Sequence, residues 1–401
     1  MPRSLSRLEF IALIAMLFAT IAFSLDAMLP ALPAIAADLA PGDLASAQLV
    51  VTTFVLGMGV GTFFTGPLSD ALGRKPVILA GAALYAGSAW AATQTESLTA
   101  LLVARTLQGL GAAGPRVVAL AIVRDLYSGR GMARIMSFVM MVFTLVPAFA
   151  PSLGAVLLGV GGWRAIFWAF VVFAGIAALW LVLRLPETLP RAERRPFRAS
   201  ALRDATVEVL RHPVVRVTLI VQALSFGMLF AVLSSVQPIY AAFGRAESFP
   251  LWFGGIAIVA SSASVLNAAL VMRLGMRLLI TAMLGVQVVL SGTMVCVLLA
   301  GLPEPALFAC FVVWQASLFF QAGLTIGNLN ALALEPMGHI AGTAASVTSA
   351  AATVLAVVFA VPVTLAFDGT PLPLALGVAL YAALALWLML RLQGRDAAQP
   401  V

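Results

Sequence analysis

The feature that most constrains this chain is a series of apolar segments, each about 20 residues or longer, that follows almost its whole length. A helix of about 20 residues crosses the ~30 Å hydrocarbon core of a bilayer. The segments are continuously apolar and lack the alternation of a membrane barrel strand, so they indicate helices. Composition agrees, because 62% of the residues are hydrophobic and 10% are charged. The sequence therefore predicts an all-α membrane protein.

We place twelve transmembrane helices in the chain. Their approximate bounds are 9–33, 46–68, 77–95, 98–124, 133–160, 163–184, 214–242, 250–272, 278–301, 304–333, 341–366 and 371–391. The first segment follows basic residues, as a signal peptide does, but it stays apolar beyond Ala27 and shows no convincing cleavage site. We therefore expect it to remain as a helix. An even number of helices places both termini on one side of the membrane.

The positions of the basic residues predict which side that is. Most of the 23 Lys and Arg lie near the termini and in every second connection, whereas Arg164 and Arg245 lie on the opposite side. An excess of Lys and Arg in alternate loops is the signature of the cytoplasmic face. We therefore expect cytoplasmic termini. The net charge of +7 is explained by this orientation and does not indicate a nucleic-acid partner.

One hydrophilic stretch divides the chain into two sets of six helices. We predict an N-terminal half at 1–185, a cytoplasmic linker at 186–213, a C-terminal half at 214–392 and a cytoplasmic tail at 393–401. The arginines of the linker either contact anionic lipid headgroups or only fix the topology. Similar glycine-containing turns follow Leu72 and Leu274. Two related six-helix halves are typical of secondary transporters.

The turn Gly66-Pro-Leu-Ser-Asp70-Ala-Leu-Gly73-Arg74-Lys-Pro is more specific than a plain connection requires. Asp70 precedes Arg74 by one helical turn, the favourable order for an ion pair. Gly73 permits a positive φ between two helices. This segment resembles the signature cytoplasmic loop of the major facilitator superfamily.

Other motifs are similar to the Bcr/CflA (bicyclomycin-resistance-like) drug:proton antiporters. They are Leu25-Asp26-x-x-Leu29-Pro30, Arg105 to Ala112, Ile122 to Asp125, Gly162-Trp163-Arg164, and Gly338 to Ala344. The resemblance implies a twelve-helix major facilitator fold in a bacterial inner membrane. It also implies a small-molecule substrate exchanged for protons, no cofactor, and a monomer surrounded by membrane lipid.

The same resemblance implies a cytoplasmic gate formed by Gly66, Asp70, Gly73, Arg74 and Asp125. An ion pair at a helix junction can bias an equilibrium between two conformations. The alternative is that the basic residues of the turn only hold it inside the cell. We favour the gate.

Asp26 is the only acid that we place deep within a predicted helix. A carboxylate there is costly unless it is protonated or paired, so Asp26 is a candidate proton carrier. The alternative is a helix cap or a structural ion pair with a nearby Arg. Arg105 lies at a similar depth and is the expected partner, and the resemblance implies proton coupling for both residues. Gln108 and Arg116 share its helix face. Arg116 either contacts substrate or forms a structural pair.

Candidate substrate contacts are the polar or unusual side chains within the predicted helices. They are Met28, Gln108, Arg116, Gln237, Gln321 and Asn328. Apolar walls with a few amides suit a lipophilic neutral or cationic compound. Hydrogen bonding between helices is the alternative for the amides.

Glycine and proline explain several other patterns without chemistry. We expect Pro147, Pro151 and Gly154 to bend a helix. Gly109-Leu-Gly-Ala-Ala-Gly114 matches a dinucleotide-binding pattern, but no strand precedes it, so close helix packing is the better explanation. Gly57-x-x-x-Gly61 is a second packing face. No enzyme motif or metal-ligand spacing occurs, so we expect no enzyme activity and no bound metal.

The sequence thus predicts a secondary transporter that exports small hydrophobic compounds by proton antiport. The alternatives are a proton-coupled transporter of one metabolite, and a membrane receptor that transports nothing.

Overall fold

A computed structural model describes residues 5–397, with every side chain except those of residues 129, 130, 133, 137, 144, 201 and 393–397. All its regular elements are helical, as the sequence predicts. The α-helices are α1 Arg7–Asp26, α2 Leu32–Leu39, α3 Leu44–Leu72, α4 Arg74–Thr93, α5 Leu98–Leu126, α6 Gly129–Arg184, α7 Ala199–Arg211, α8 Pro213–Ala242, α9 Phe249–Leu274, α10 Met276–Leu299, α11 Glu304–Leu334, α12 Ala341–Leu365 and α13 Leu372–Ala397.

The described residues contain 10 helical segments that are long and apolar enough to cross a membrane. Two of them, Arg134–Arg184 and Glu304–Leu365, have 51 and 62 residues, which is enough for two crossings each. The first breaks at Gly161 and Gly162 within α6. The second is interrupted by a short 3-10 helix, Glu335–Ile340. Counting both crossings of each long segment gives the twelve predicted.

The first predicted helix is not continuous. α1 ends at Asp26, and a 3-10 turn, Leu29–Ala31, leads into the short helix α2. Pro30 and Pro33 lie at the starts of these two elements. Proline lacks a backbone donor and fits the first turn of a helix. The two prolines therefore divide a segment that hydropathy alone presents as one helix.

The chain forms two compact units in the described residues. Within residues 5–397, the first comprises the described residues up to 43 together with 53–203, and the second comprises 44–52 together with the described residues from 204 on. In the first unit, α4 packs against α5 and α6, and α1 packs against α6. In the second, α8 packs against α12, and α10 packs against α13 and α11.

Local sequence explains where several helices begin. The Ser6 hydroxyl accepts a hydrogen bond from the Glu9 amide at 3.1 Å, in a Ser-x-x-Glu arrangement typical of a helix N-terminus. Ser97 caps α5 in the same way. Gly73 and Gly275 separate α3 from α4 and α9 from α10, with φ of 106° and 77°. These values favour glycine, which explains the two similar turns seen in the sequence.

The connection between the two sets of helices contains a helix within the predicted linker. Residues 199–211 form the amphipathic helix α7, which buries Leu202, Ala205 and Val209. Their spacing places them on one helix face. At the other end of the chain, α13 continues to Ala397, so the first residues of the predicted tail are helical. Residues 398–401 lie outside the described part of the chain.

Candidate gate and proton site

Arg74 lies at the centre of a charged cluster where α3, α4 and α5 meet. Its guanidinium donates to the carboxylates of Asp70 and Asp125, the latter at 2.9 Å from Nε, and to the Ser69 hydroxyl at 2.8 Å. The side chain of Arg74 is largely buried, with 8% of the residue exposed. The structure therefore brings together the three charged residues predicted for the gate.

Two further members of this cluster come from the start of the connection after α6. Glu187 accepts hydrogen bonds from the backbone amides of Arg74 and Lys75 at 2.8 and 3.0 Å. The Thr188 hydroxyl donates to Asp125 at 3.0 Å. Glu187 thus satisfies two of the amides that a helix N-terminus leaves unpaired, and its charge suits the positive end of the helix dipole.

Gly73 and Gly66 have different roles in this geometry. A Cβ atom on Gly73 would lie 2.8 Å from both the Glu187 carboxylate and the Arg194 guanidinium, which adds to the requirement for a positive φ. Gly66 lies within α3, and its carbonyl accepts the hydroxyl of Ser69 at 2.9 Å. We name the set Ser69, Asp70, Arg74, Asp125, Glu187 and Thr188 the Arg74 cluster.

Asp26 is the only Asp or Glu among the buried residues of the described chain, with 5% of its surface exposed. It is the last residue of α1, next to the break that leads to α2. Gly154 of α6 approaches the same point, because a Cβ on Gly154 would lie 2.0 Å from the Ala27 carbonyl oxygen. No hydrogen bond or ion pair involves the Asp26 carboxyl within the described residues. An ionised carboxyl in such a place needs water or a partner, whereas a protonated one needs neither.

The predicted ion pair between Asp26 and Arg105 does not form in this structure. Arg105 is fully buried in α5, and it donates to the Ser24 carbonyl at 3.1 Å and to the Gln108 side chain at 2.7 Å. Its guanidinium also lies 4.4 Å from the ring centroid of Phe54. α1 and α5 therefore place Arg105 two residues from Asp26, where a carbonyl replaces the carboxylate as its partner.

Tyr85 joins this polar group, although its sequence context shows no sign of a functional residue. Its hydroxyl is hydrogen-bonded to the Ser24 hydroxyl, and both residues are fully buried. Ser24 therefore connects α1 to Tyr85 of α4 through its side chain and to Arg105 of α5 through its carbonyl. The amide nitrogen of Gln108 has no hydrogen-bond partner in the described residues.

The remaining predicted contacts divide between the two units. Met28 is fully buried beside Asp26 in the first unit, and Arg116 is partly buried there. No ion pair involves Arg116 in the part of the chain that the structure describes. The structural pair considered for it is therefore not formed.

In the second unit the amides differ from one another. Asn328 of α11 donates to Asn267 of α9 at 2.7 Å, and Gln321 donates to Thr325 of its own helix at 2.9 Å. Gln237 is buried, and its side-chain oxygen has no partner among the described residues. Asn328 thus connects α11 to α9.

The predicted bend at Pro147, Pro151 and Gly154 leaves no mark on the backbone angles. α6 is helical through these residues, and its non-helical angles occur at Gly161 and Gly162. The close approach of Gly154 to Ala27 gives this glycine a packing role.

Glycines of the nucleotide-like pattern and of the Gly57-x-x-x-Gly61 motif pack helices together, as predicted. A Cβ on Gly109 would lie 1.9 Å from the Phe54 carbonyl oxygen, and one on Gly57 would lie 1.8 Å from the Thr106 carbonyl oxygen. Real Cβ atoms do not approach this closely, so α3 and α5 are in backbone contact at both points.

Comparison with known proteins supports the predicted fold and the family resemblance. A family model described as Major Facilitator Superfamily matches residues 12–361. The chain is 30% identical over 331 residues to the bicyclomycin resistance protein homolog of Haemophilus influenzae, covering 81% of each protein. It is 38% identical over 169 residues to the multidrug resistance protein MdtL of Escherichia coli, covering 42% of this chain and 43% of that protein.

A solved structure shares the fold. The crystal structure of a D-xylose-proton symporter superposes with a TM-score of 0.73 at 17% identity, covering 96% of this chain and 97% of that chain. The predicted twelve-helix architecture is thus confirmed.

Proposed function

Because this chain belongs to the major facilitator superfamily, in its bicyclomycin-resistance-like branch, we propose that it exports small hydrophobic compounds from the cell in exchange for protons. The observation that carries the proposal is Asp26, a buried carboxyl without an ion-pair partner in the described residues. Relatives named for bicyclomycin and multidrug resistance support the choice of cargo. A proton exchanger needs a group that is protonated in one step of the cycle and deprotonated in another, and the carboxyl of Asp26 meets that requirement.

In this mechanism, Asp26 takes up a proton when its surroundings are open to the outside and releases it to the inside. Water that reaches Asp26 stabilises the ionised acid, and closure around it favours the protonated acid. Arg105 of α5 is close by, because it donates a hydrogen bond to the carbonyl of Ser24, which lies two residues before Asp26 in α1. A conformational change that brings this guanidinium to Asp26 would favour release of the proton.

The Arg74 cluster would stabilise one of the two conformations between which such a transporter alternates. Buried and partly buried ion pairs of this kind are screened less than exposed ones. Breaking the cluster would therefore shift the equilibrium between the two conformations. We further infer that the protein resides in a bacterial inner membrane, as its bacterial relatives suggest. We place its termini in the cytoplasm, because most Lys and Arg lie near the termini and in the connections on the same side of the membrane.

The test compares dye efflux from cells that express the protein or its variants. Asp26→Asn keeps the size of the side chain but cannot carry a proton, so efflux driven by the proton gradient should fall to the background level. Glu247→Gln, in an exposed connection, removes an acid elsewhere and should leave efflux unchanged.

The other outcomes identify the alternatives. Uphill movement by Asp26→Asn driven by a pH gradient would show that Asp26 is not the proton carrier. Accumulation of the compound inside the cells would indicate an importer. If none of a broad panel of compounds is transported, the receptor remains as the explanation. Membrane levels of each variant, measured by immunoblot, separate loss of function from loss of protein.

A further inference from the structure

A cavity of about 320 Å³ opens between the beginning of α1 and the beginning of α6. The side chains used in the argument below are Arg7, Leu8 and Ile11 from α1, Tyr127 from the connection before α6, and Arg134 and Phe138 from α6. We name it the α1–α6 cavity. It is separate from the Arg74 cluster and from the surroundings of Asp26, since it shares no lining residue with either.

Each of the two helices presents an arginine followed by an apolar side chain one turn deeper. Arg7 precedes Ile11 in α1, and Arg134 precedes Phe138 in α6. Residues four apart lie on one helix face, separated by about 6 Å along the axis. The cavity therefore has a cationic end towards the start of both helices and an apolar end towards the membrane interior.

The positive charge of this cavity is not neutralised within the described chain. No described residue that lines it is acidic, and neither Arg7 nor Arg134 takes part in an ion pair there. The nearest acid along α1 is Glu9, whose two carboxylate oxygens accept hydrogen bonds from Arg184. Glu9 lies two residues from Arg7, on a different face of the helix. The cavity is thus complementary to an anion.

Apolar side chains of the cavity are exposed. Leu8 and Phe138 are 79% and 41% exposed. An inorganic anion would cover neither side chain, whereas a hydrocarbon chain would cover both. An occupant that matches both ends has a negative headgroup joined to an acyl chain.

We propose that the α1–α6 cavity binds an anionic phospholipid, with its phosphate between Arg7 and Arg134 and an acyl chain along Ile11 and Phe138. Basic pockets between transmembrane helices are suited to such headgroups. The starts of α1 and α6 add the positive ends of two helix dipoles. Tyr127 lines the same cavity. Its amphipathic side chain is of the kind that is enriched at the membrane–water interface.

The experiment measures binding of phosphatidylglycerol to the purified protein in detergent by native mass spectrometry, with phosphatidylcholine and glycerol 3-phosphate as comparisons. We expect phosphatidylglycerol to bind more tightly than either. Each basic residue near an anionic headgroup contributes roughly a fivefold gain in affinity, so Arg7→Gln with Arg134→Gln should weaken binding about 25-fold.

The matched control is Arg216→Gln with Arg273→Gln. Both arginines are exposed and lie near the ends of α8 and α9. Their substitution removes the same net charge from the predicted cytoplasmic face. This double variant should bind phosphatidylglycerol like the unchanged protein. Ile11→Trp keeps both arginines but fills the apolar end, and it should also weaken binding.

Four results would overturn the proposal. They are equal affinity for phosphatidylglycerol and phosphatidylcholine, equal weakening in both double variants, binding of glycerol 3-phosphate as tight as that of the lipid, and unchanged binding in Ile11→Trp. Gel-filtration profiles of all variants establish that they remain folded. Dye efflux is not the readout, so failure of the export proposal would not affect this test.

Discussion

Glu187 holds the beginning of α4 although it lies 113 residues further along the chain than Arg74. Its carboxylate accepts two backbone amides there. Loss of a side chain that caps a helix in this way costs about 1–2 kcal/mol. We therefore expect Glu187→Ala to lower the melting midpoint of the purified protein and to reduce efflux. Thermal unfolding in detergent measures the first effect.

Glu193 provides the control, because it lies exposed in the same connection. Glu193→Ala should melt like the unchanged protein. If the two variants melt alike, then Glu187 does not stabilise the start of α4, and its contacts contribute nothing to the Arg74 cluster.

The residues of the Arg74 cluster were predictable from sequence only where the signal was local or carried by a known motif. Asp70 and Arg74 are only four residues apart in the sequence, and the motif resemblance added Asp125. Glu187 was hidden because its partners are backbone amides, which have no sequence signature. Tyr85 was missed for a similar reason, since an aromatic residue in a membrane helix usually indicates packing. Arg105 donates in this structure to the Ser24 carbonyl, a backbone partner that the sequence does not reveal.

At the scale of helices, the contact between α3 and α5 depends on glycines that leave no room for a side chain. A Cβ on Gly109 would lie 1.9 Å from the Phe54 carbonyl oxygen, while one on Gly87 in α4 would meet nothing within 4 Å. In a helix, Gly→Ala is favourable by about 0.8–1.0 kcal/mol where space permits. We therefore expect Gly87→Ala to raise stability slightly and Gly109→Ala to lower it by about 1–3 kcal/mol or more, as overpacking does.

The two alanine variants form a matched pair, because both change a glycine within a membrane helix of the same unit. Their melting midpoints in detergent should move in opposite directions. Equal shifts would mean that α3 and α5 separate at little cost, and the backbone contact would then not be a fixed feature of the fold.

The ends of helices were predicted less well than their existence. Hydropathy located the crossings because each needs about 20 apolar residues. It could not separate α1 from α2, since Ala27, Met28 and Leu29 are as apolar as the helices around them. It also missed α7, whose amphipathic pattern lies in a polar stretch too short and too charged to cross a membrane.

At the scale of the whole molecule, the transport proposal has an electrical consequence. Asp26 is the only buried acid in the described chain, so we expect one proton per cycle. Exchange of one inward proton for one outward neutral molecule moves one positive charge into the cell. A membrane potential contributes about 2.3 kcal/mol per 100 mV for each such charge. Export of a neutral compound should therefore be accelerated by an inside-negative potential.

A monovalent cation gives the opposite expectation from the same mechanism. One proton entering and one cation leaving move no net charge, so its export should respond to the pH gradient and not to the potential. Proteoliposomes with a potassium diffusion potential at constant pH distinguish the two cases. Voltage-driven export of a monovalent cation would require more than one proton per cycle. Because Asp26 can carry only one, that result would assign a second proton to another group.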